Sequence, residues 1–184
     1  MVKKKGVKQE EAQAAASQDG FLLDLHVLYG DNLPADYFVP ALELNQVLLK
    51  SMAHYERFAK QHKLNFNSLL VLMVISYSKE PCNQHFISKT LWLPKQTVGS
   101  ILLGLKKKGL IEEAASSTDA RAKVLSLTSE GSRFCEGIFT ELHNLEIEAL
   151  QKVEVEDIKA ATRSLEAYSE AFGQGLEDLS ENRA

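Results

Sequence analysis

Apolar residues recur at helical spacing over residues 38–58, which predicts a first long helix with Pro40 in its first turn. The next helical stretch is apolar on nearly all sides over residues 69–75. A helix of this kind is expected at the centre of a hydrophobic core, and Pro81 sets the point by which it must end.

Two short helices are predicted next, separated by a tight turn. Asn83 is a suitable N-cap for the first, which runs through Leu91. The second spans residues 94–108, with Pro94 at its first position and Gly109 at its end. Each short helix is apolar along one face, so the pair is predicted to form a helix-turn-helix.

A β-hairpin is predicted after the second short helix. The segments LIEEA and KVLSLT have strand character, and the polar loop ASSTDARA between them is typical of a long hairpin tip. Helical spacing returns at Ser129 and continues in a final helix that ends near Leu179. We therefore predict a mainly α-helical fold with a small β-hairpin wing.

The predicted organisation is a single unit over residues 38–179. It comprises a winged helix-turn-helix at about residues 65–131 and flanking helices at about 38–62 and 129–179. The flanking helices carry apolar stripes that one small winged helix cannot cover, so we expect a homodimer. These stripes include Leu142, Leu145, Leu165, Phe172 and Leu176.

The amino-terminal residues 1–19 are polar and short of bulky side chains, which predicts disorder. The stretch FLLDLHVLYG that follows predicts one short helix. No apolar run approaches the roughly 18 to 20 residues of a membrane-spanning helix, and no apolar segment follows the first lysines as in a signal peptide. We expect a soluble cytoplasmic protein.

Charge is unevenly distributed along the chain, whose formal net charge is −4. Residues 86–133 carry eight Lys or Arg and four Asp or Glu, whereas residues 134–184 carry four basic and twelve acidic side chains. The basic middle segment is compatible with a local anionic partner such as nucleic acid. It is equally compatible with a solvated surface, and charge alone does not separate these interpretations.

The predicted arrangement suits DNA, because a helix fits the major groove and a hairpin tip reaches an adjacent minor groove. The lysines at 106–108 complement the negative end of the second short helix, a common arrangement in any protein. The side chains at the start of that helix are better candidates for contact with bases: Lys95, Gln96, Thr97 and Ser100.

The segment from Asn83 to Gly131 resembles the multiple-antibiotic-resistance regulator (MarR) family of transcription factors. The matching pieces are PKQTV, LKKKGLIEE and DARAKVLSLTSEG. The last follows the family's Asp-x-Arg and Leu-Thr-x-x-Gly pattern, beginning at Asp119 and Leu127. The flanking helices resemble the family's dimerisation domain, so the likeness spans roughly residues 38–179.

The resemblance implies a homodimeric regulator, usually a repressor, that binds a pseudo-palindromic operator in double-stranded DNA. It implies that Arg121 enters the minor groove and that Asp119 holds the wing in shape. Many members of the family release DNA on binding small aromatic or phenolic molecules, or on cysteine oxidation. The resulting candidate DNA-binding residues are Lys95, Gln96, Thr97, Ser100, Arg121 and Lys123.

Several residues depart from the family pattern. Trp92 occupies a turn position that is often small, and Pro94 replaces the usual hydroxyl N-cap, at a cost of roughly 1 kcal/mol. Gly99 and Gly104 lie inside the second short helix, which corresponds to the recognition helix of the family, and cost about 1 kcal/mol each relative to alanine. The helix also lacks arginine, the commonest reader of guanine. We expect modest base readout, with lysines and the wing supplying more of the affinity.

Candidates for an effector pocket lie where the first long helices are expected to meet the winged helix: His54, Tyr55, Arg57 and Phe58. Ordinary core or dimer packing is the alternative for each of them. Cys82 is a candidate redox switch, which requires exposure and a lowered thiol pKa; an inert small residue is the alternative.

The histidines and cysteines show no metal-ligand spacing, and no cofactor or catalytic motif is present, so we predict neither a metal site nor an enzyme. A second function remains open at this stage. The winged helix could serve protein–protein interaction without sequence-specific DNA binding.

Overall fold

The computed structural model describes residues 35–79, 81–115 and 123–183. These ranges contain six α-helices and one two-stranded antiparallel sheet, which confirms the predicted fold class. In chain order the elements are α1 (Ala35–Gln61), α2 (Phe66–Tyr77), α3 (Gln84–Leu91), α4 (Lys95–Lys107), β1 (Ile111–Ala115), β2 (Lys123–Leu127), α5 (Ser129–Leu150) and α6 (Val155–Glu181).

Three of the sequence predictions lie outside the described residues. They are the disorder of residues 1–19, the short helix at FLLDLHVLYG, and the hairpin tip with Asp119 and Arg121.

The chain divides into two compact units, with the boundary between Phe66 and Asn67. In the first unit, α1 begins at Ala35, so Pro40 is its sixth residue and lies beyond the predicted first turn. The end of α1 is tied to the start of α2. Glu56 accepts a hydrogen bond of 2.7 Å from the backbone N–H of Phe66, and this contact holds the pKa of its carboxyl below the usual value.

The core of the second unit is centred on α2, as predicted from its nearly continuous apolar sequence. Leu69, Val71 and Leu72 have no exposed surface. The helix ends at Tyr77, four residues before Pro81. Apolar side chains from every other element of the winged helix complete the core: Ile87, Val98, Leu102, Leu105, Leu110, Ile111, Leu125, Ile138, Phe139 and Leu142.

The helix-turn-helix forms where the sequence predicts it. Asn83 caps α3, because its side chain accepts a 2.8 Å hydrogen bond from the N–H of Phe86. Trp92 then turns the chain with a left-handed backbone at φ 55°. Pro94 is the N-cap of α4 and not its first helical residue, since its ψ of 140° is extended and its carbonyl accepts from Val98.

The hairpin pairs β1 and β2 in register from Ile111 with Leu127 to Ala115 with Lys123. The second strand is also anchored on the helix-turn-helix side. The N–H of Leu125 donates to the carbonyl of Cys82 over 2.7 Å, at the segment that leads into α3. The wing is therefore fixed to the helix-turn-helix at its base.

The Leu-Thr-x-x-Gly motif joins the wing to α5. The hydroxyl of Thr128 donates to the carbonyl of Gly109 at 2.6 Å and accepts the N–H of Gly131 at 2.9 Å. The N–H of Thr128 donates to the carbonyl of Leu110. A Cβ at Gly131 would lie 1.8 Å from that same carbonyl oxygen. The motif thus locks the end of α4 against the start of α5.

The last two helices are only partly covered. The part of α5 from Gly131 to Leu142 contributes to the core, and Leu142 is 4% exposed. Its predicted place in a dimerisation stripe is therefore wrong, because it packs within its own subunit. Leu145 is 52% exposed, and no residue of α6 is buried.

Candidate nucleic-acid interface

Helix α4 presents two faces of opposite character. One face enters the core through Val98, Leu102 and Leu105. The opposite face is exposed and carries Gln96, Ser100, Leu103 and Lys107. These four positions recur every three or four residues, so they lie along one line on the helix surface. The result is a helix anchored by three buried side chains and open along its outer side.

All but one of the candidate residues at the start of α4 are exposed. Lys95, Gln96 and Ser100 are exposed, whereas Thr97 is half-buried at the side of the helix. The hydroxyl of Ser100 donates to the carbonyl of Gln96 at 3.1 Å, and its oxygen keeps the capacity to accept. The structure therefore groups three of these four side chains on accessible surface.

The helix-turn-helix has an unusual charge composition. Between Pro81 and Ile111 the sequence contains five lysines and no carboxylate. Positive charge therefore predominates in this segment, whereas the chain as a whole is acidic. The excess of basic residues is therefore local to α3, the turn and α4.

Glu112 and Glu113 follow this segment, and Glu113 links the wing to α4. Its carboxylate forms ion pairs with Lys106 on α4 and with Lys123 on β2, the latter at 3.7 Å. The bond from Lys106 is the main cause that holds the pKa of the Glu113 carboxyl below its usual value. Lys123 keeps 74% of its side chain exposed, so this candidate DNA residue remains accessible.

A cleft of about 490 Å³ runs beside α4. Its polar lining comes from three elements: Asn83, Gln84 and His85 at the start of α3, Lys106 on α4, and Glu113 and Lys123 on the wing. Leu103 of α4 borders the same cleft. The outer side of α4 is thus continuous with a concave surface bounded by the wing.

The structure explains one of the two glycines in α4. The side-chain amide of Gln84 donates to the carbonyl of Lys95 at 2.8 Å, which connects α3 to the first turn of α4. A Cβ at Gly99 would lie 3.1 Å from that amide nitrogen. The glycine therefore makes room for the connection. At Gly104 a Cβ would meet nothing within 4 Å, so packing gives no reason for this glycine.

Two exposed apolar side chains were missed as site candidates. Trp92, recognised from the sequence only as an unusual turn residue, is 93% exposed immediately before α4. Leu103 is 55% exposed on the outer face. Helical spacing in the sequence indicates the position of Leu103, because it lies seven residues after Gln96 and therefore on the same side of the helix.

Cys82 has neither property that a redox switch requires. It is 4% exposed, and burial raises the pKa of its thiol to about 11. The suggested switch is therefore not supported at this residue, because the thiol is protonated and shielded. Cys135 is buried too, and burial raises its pKa.

The four effector-pocket candidates differ in their surroundings. Tyr55 stacks on Phe66 with ring centroids 5.6 Å apart. Phe58 is buried, with its ring 4.8 Å from that of His62. His54 and Arg57 are exposed. The ring contacts that Tyr55 and Phe58 make are therefore contacts within the first unit.

The described residues contain no cluster of three or more histidine, cysteine or acidic side chains arranged to hold a metal ion. In these same ranges no helix has both the length and the apolar character needed to cross a membrane.

Comparison with known sequences gives a partial match. The sequence profile of the MarR family matches residues 62–122. Over 77 residues the chain is 29% identical to the HTH-type transcriptional regulator SarZ of Staphylococcus haemolyticus. The alignment covers 42% of this chain and 52% of SarZ. The alignment thus spans about half the length of this curated relative.

Solved structures share the fold over most of the chain. The S. aureus MepR–DNA complex has a TM-score of 0.63 at 17% identity, covering 76% of this chain and 99% of MepR. CouR from Rhodococcus jostii, bound to p-coumaroyl-CoA, has a TM-score of 0.63 at 17% identity, covering 74% of this chain and 95% of CouR. The matched profile and the related sequence make this chain similar to regulators of the MarR family, and the solved structures share its winged-helix fold.

Proposed function

We propose that this protein is a homodimeric transcription regulator that binds a pseudo-palindromic operator with α4 in the major groove. The observation that carries the proposal is the outer face of α4. It is exposed, it carries hydrogen-bonding side chains at Gln96 and Ser100, and it lies in a segment with five lysines and no carboxylate. An α-helix fits the major groove, and base edges there present a distinct pattern for each base pair.

The wing supplies the second contact in this proposal. The hairpin is fixed beside α4 through Glu113 and through the Leu125–Cys82 backbone bond. We place Arg121 of its tip in the adjacent minor groove and assign to Asp119 the role of shaping the tip. Lys123 at the base of the second strand would then lie near the phosphate backbone.

A second copy of the chain is the proposed partner of α6. Exposed apolar side chains on this helix follow one another at intervals of three or four residues, which places them on one face: Tyr168, Phe172, Leu176 and Leu179. A stripe of this extent marks an interaction surface. Exposed apolar residues on α1 and at the end of α5 provide further surface for the same dimer: Leu44, Leu48, Met52, Leu145 and Leu150.

Dimerisation is tested by two variants that each place one lysine on α6. Phe172→Lys lies on the apolar stripe, whereas Gln174→Lys lies on the opposite side of the helix. Sedimentation at micromolar concentration should give a dimer for wild type and for Gln174→Lys, and a larger monomer fraction for Phe172→Lys. A monomeric wild-type protein would contradict the proposal.

The direction of regulation and its signal belong to the same proposal. We assign the protein a repressor role, with release by a small aromatic molecule. The support is the similarity to the MarR family together with the similarity to CouR, whose structure is bound to the aromatic acyl thioester p-coumaroyl-CoA. As a regulator of this kind, the protein would act in the cytoplasm, where the operator is.

DNA binding is tested by titration of DNA fragments at several salt concentrations. Binding that weakens steeply as salt rises is expected, because lysines displace counterions from phosphates. Gln96→Ala should lower affinity for the operator about 5- to 150-fold for each half-site, equivalent to roughly 1–3 kcal/mol of base discrimination per subunit, and leave binding to unrelated DNA nearly unchanged.

Gln61→Ala, a matched change at the end of α1, is the control and should bind as wild type. The absence of DNA binding even at low salt would refute the proposal and favour a protein-interaction role for the winged helix.

A further inference from the structure

We propose that Leu103 is a specificity-determining residue that reads the C5-methyl group of a thymine in the operator. The inference rests on the proposed function and names what part of the operator α4 recognises. It begins from an apolar side chain whose position the fold does not explain. Leu103 is 55% exposed, whereas its neighbours Leu102 and Leu105 supply the buried contacts of the helix.

The surroundings of Leu103 are polar and basic. Ser100 precedes it by about one turn, Lys107 follows it by about one turn, and both are exposed. Seven residues separate Leu103 from Gln96, so the two point in directions that differ by only about 20°. A leucine at this position leaves apolar surface in contact with water, which is unfavourable. Contact with another molecule would remove this surface from water.

Thymine offers the matching chemistry in the major groove. Its C5-methyl is the apolar group that distinguishes its edge, and apolar side chains read it, whereas hydrogen-bonding side chains read the other edges. Helix α4 contains no arginine, so it lacks the commonest reader of guanine. A leucine beside a glutamine and a serine instead favours a half-site with thymine among its central bases.

The spacing along the helix predicts where this thymine lies. Leu103 is about 10.5 Å further along the helix axis than Gln96, at 1.5 Å per residue. Because bases on one strand are about 3.4 Å apart, this distance corresponds to about three base steps. Gly104 supports close approach, since it places no side chain beside Leu103 on the exposed surface.

The test removes the methyl group alone. An operator is first selected from random DNA with the wild-type protein, and each thymine is then replaced singly by deoxyuridine, which keeps every hydrogen-bonding group. At one position of the half-site, replacing thymine by deoxyuridine in a single half-site should weaken wild-type binding about fourfold. Replacing it in both half-sites should weaken binding about 15-fold, as expected for one buried methyl group per subunit.

Leu103→Ala should lose this sensitivity, so that thymine and uracil operators bind it equally. Leu103→Met retains an apolar side chain and should keep the preference. Gln61→Ala, at the end of α1 and outside the winged helix, is the control and should remain as sensitive to uracil as wild type. Binding of Leu103→Ala to unrelated DNA should match wild type, which shows that the variant is folded and that its lysines still act.

Three results would overturn the inference while leaving the proposed function intact. They are a bound operator with no uracil-sensitive position, an operator with no thymine about three steps from the Gln96 contact, and a Leu103→Ala variant that still prefers thymine. Failure to select any operator would instead overturn the proposed function itself.

Discussion

Gly131 is the position at which a single methyl group should do most damage to the winged helix. In Gly131→Ala, the new Cβ would lie 1.8 Å from the carbonyl oxygen of Leu110, and real contacts of this type are not shorter than 3.0 Å. The obstacle is backbone, so rotation of a side chain cannot relieve it. The start of α5 must move away from the end of α4.

The expected cost follows from three contributions. Overpacking of this kind costs about 1–3 kcal/mol. The displacement also weakens the hydrogen bonds from Thr128 to Leu110 and from Gly131 to Thr128, each worth about 1 kcal/mol. Alanine regains about 1 kcal/mol through its higher helix propensity. The net loss in free energy of unfolding should therefore be about 2–4 kcal/mol.

Gly137→Ala provides the matched control, because it makes the same change on the same helix where a Cβ meets nothing within 4 Å. This variant should be about 1 kcal/mol more stable than wild type. Urea denaturation at one fixed protein concentration measures both, since dimer stability depends on concentration. A Gly131→Ala protein as stable as Gly137→Ala would refute the close approach between Gly131 and Leu110.

Three further predictions follow from local geometry. Trp92→Gly should raise the free energy of unfolding by about 0.5–1 kcal/mol in the same denaturation assay, because glycine adopts φ 55° without strain and the indole is not buried; no gain would contradict the left-handed turn. Asn83→Ala should lower it by about 1 kcal/mol through loss of the α3 cap, whereas an unchanged stability would contradict the Phe86 contact. The buried Cys82 thiol, with its pKa of about 11, should react with iodoacetamide at pH 7.5 far more slowly in the native protein than in denaturant, and equal rates would contradict its burial.

The pH dependence of the wing depends on Glu113. Its folded pKa lies below the usual value of 4.5 because Lys106 bonds the ionised form. The contribution of this pair to stability is therefore present above pH 4.5 and is lost as the pH falls through the lower folded pKa. The protection factors of the β1–β2 amides, which correct exchange for its intrinsic pH dependence, should fall in that range for wild type and depend less on pH in Glu113→Gln. Identical profiles would contradict the role of this pair.

The elements of the fold could be predicted because their signals are local. The cap at Asn83, the nearly continuous apolar run of α2 and the apolar periodicity of α4 and α5 each depend on residues within a few positions of one another. The start of α1 was missed because Pro40 is compatible with a first turn but does not require one. Leu142 was assigned to the wrong surface, since periodicity shows that a face is apolar but not which molecule covers it.

The candidate site could be predicted in part for the same reason. Exposure of Lys95, Gln96 and Ser100 follows from helical spacing against the buried positions of α4. The pairing of Lys106 with Glu113 depends on where the hairpin lies, which the sequence does not specify. The reason for Gly99 depends on Gln84, fifteen positions earlier in the chain, and only the packed structure brings the two together.

The most direct test of the account is selection of bound sequences from a pool of random double-stranded DNA, followed by footprinting of the enriched sites. We predict a pseudo-palindrome whose half-site centres lie about 10 base pairs apart, as two recognition helices on one face of the duplex require. The footprint should show a matching dyad, and Gln96→Ala should enrich a more degenerate sequence. A folded wild-type protein that enriches no sequence, or that protects a site without a dyad, would contradict the claim that α4 reads an operator as part of a dimer.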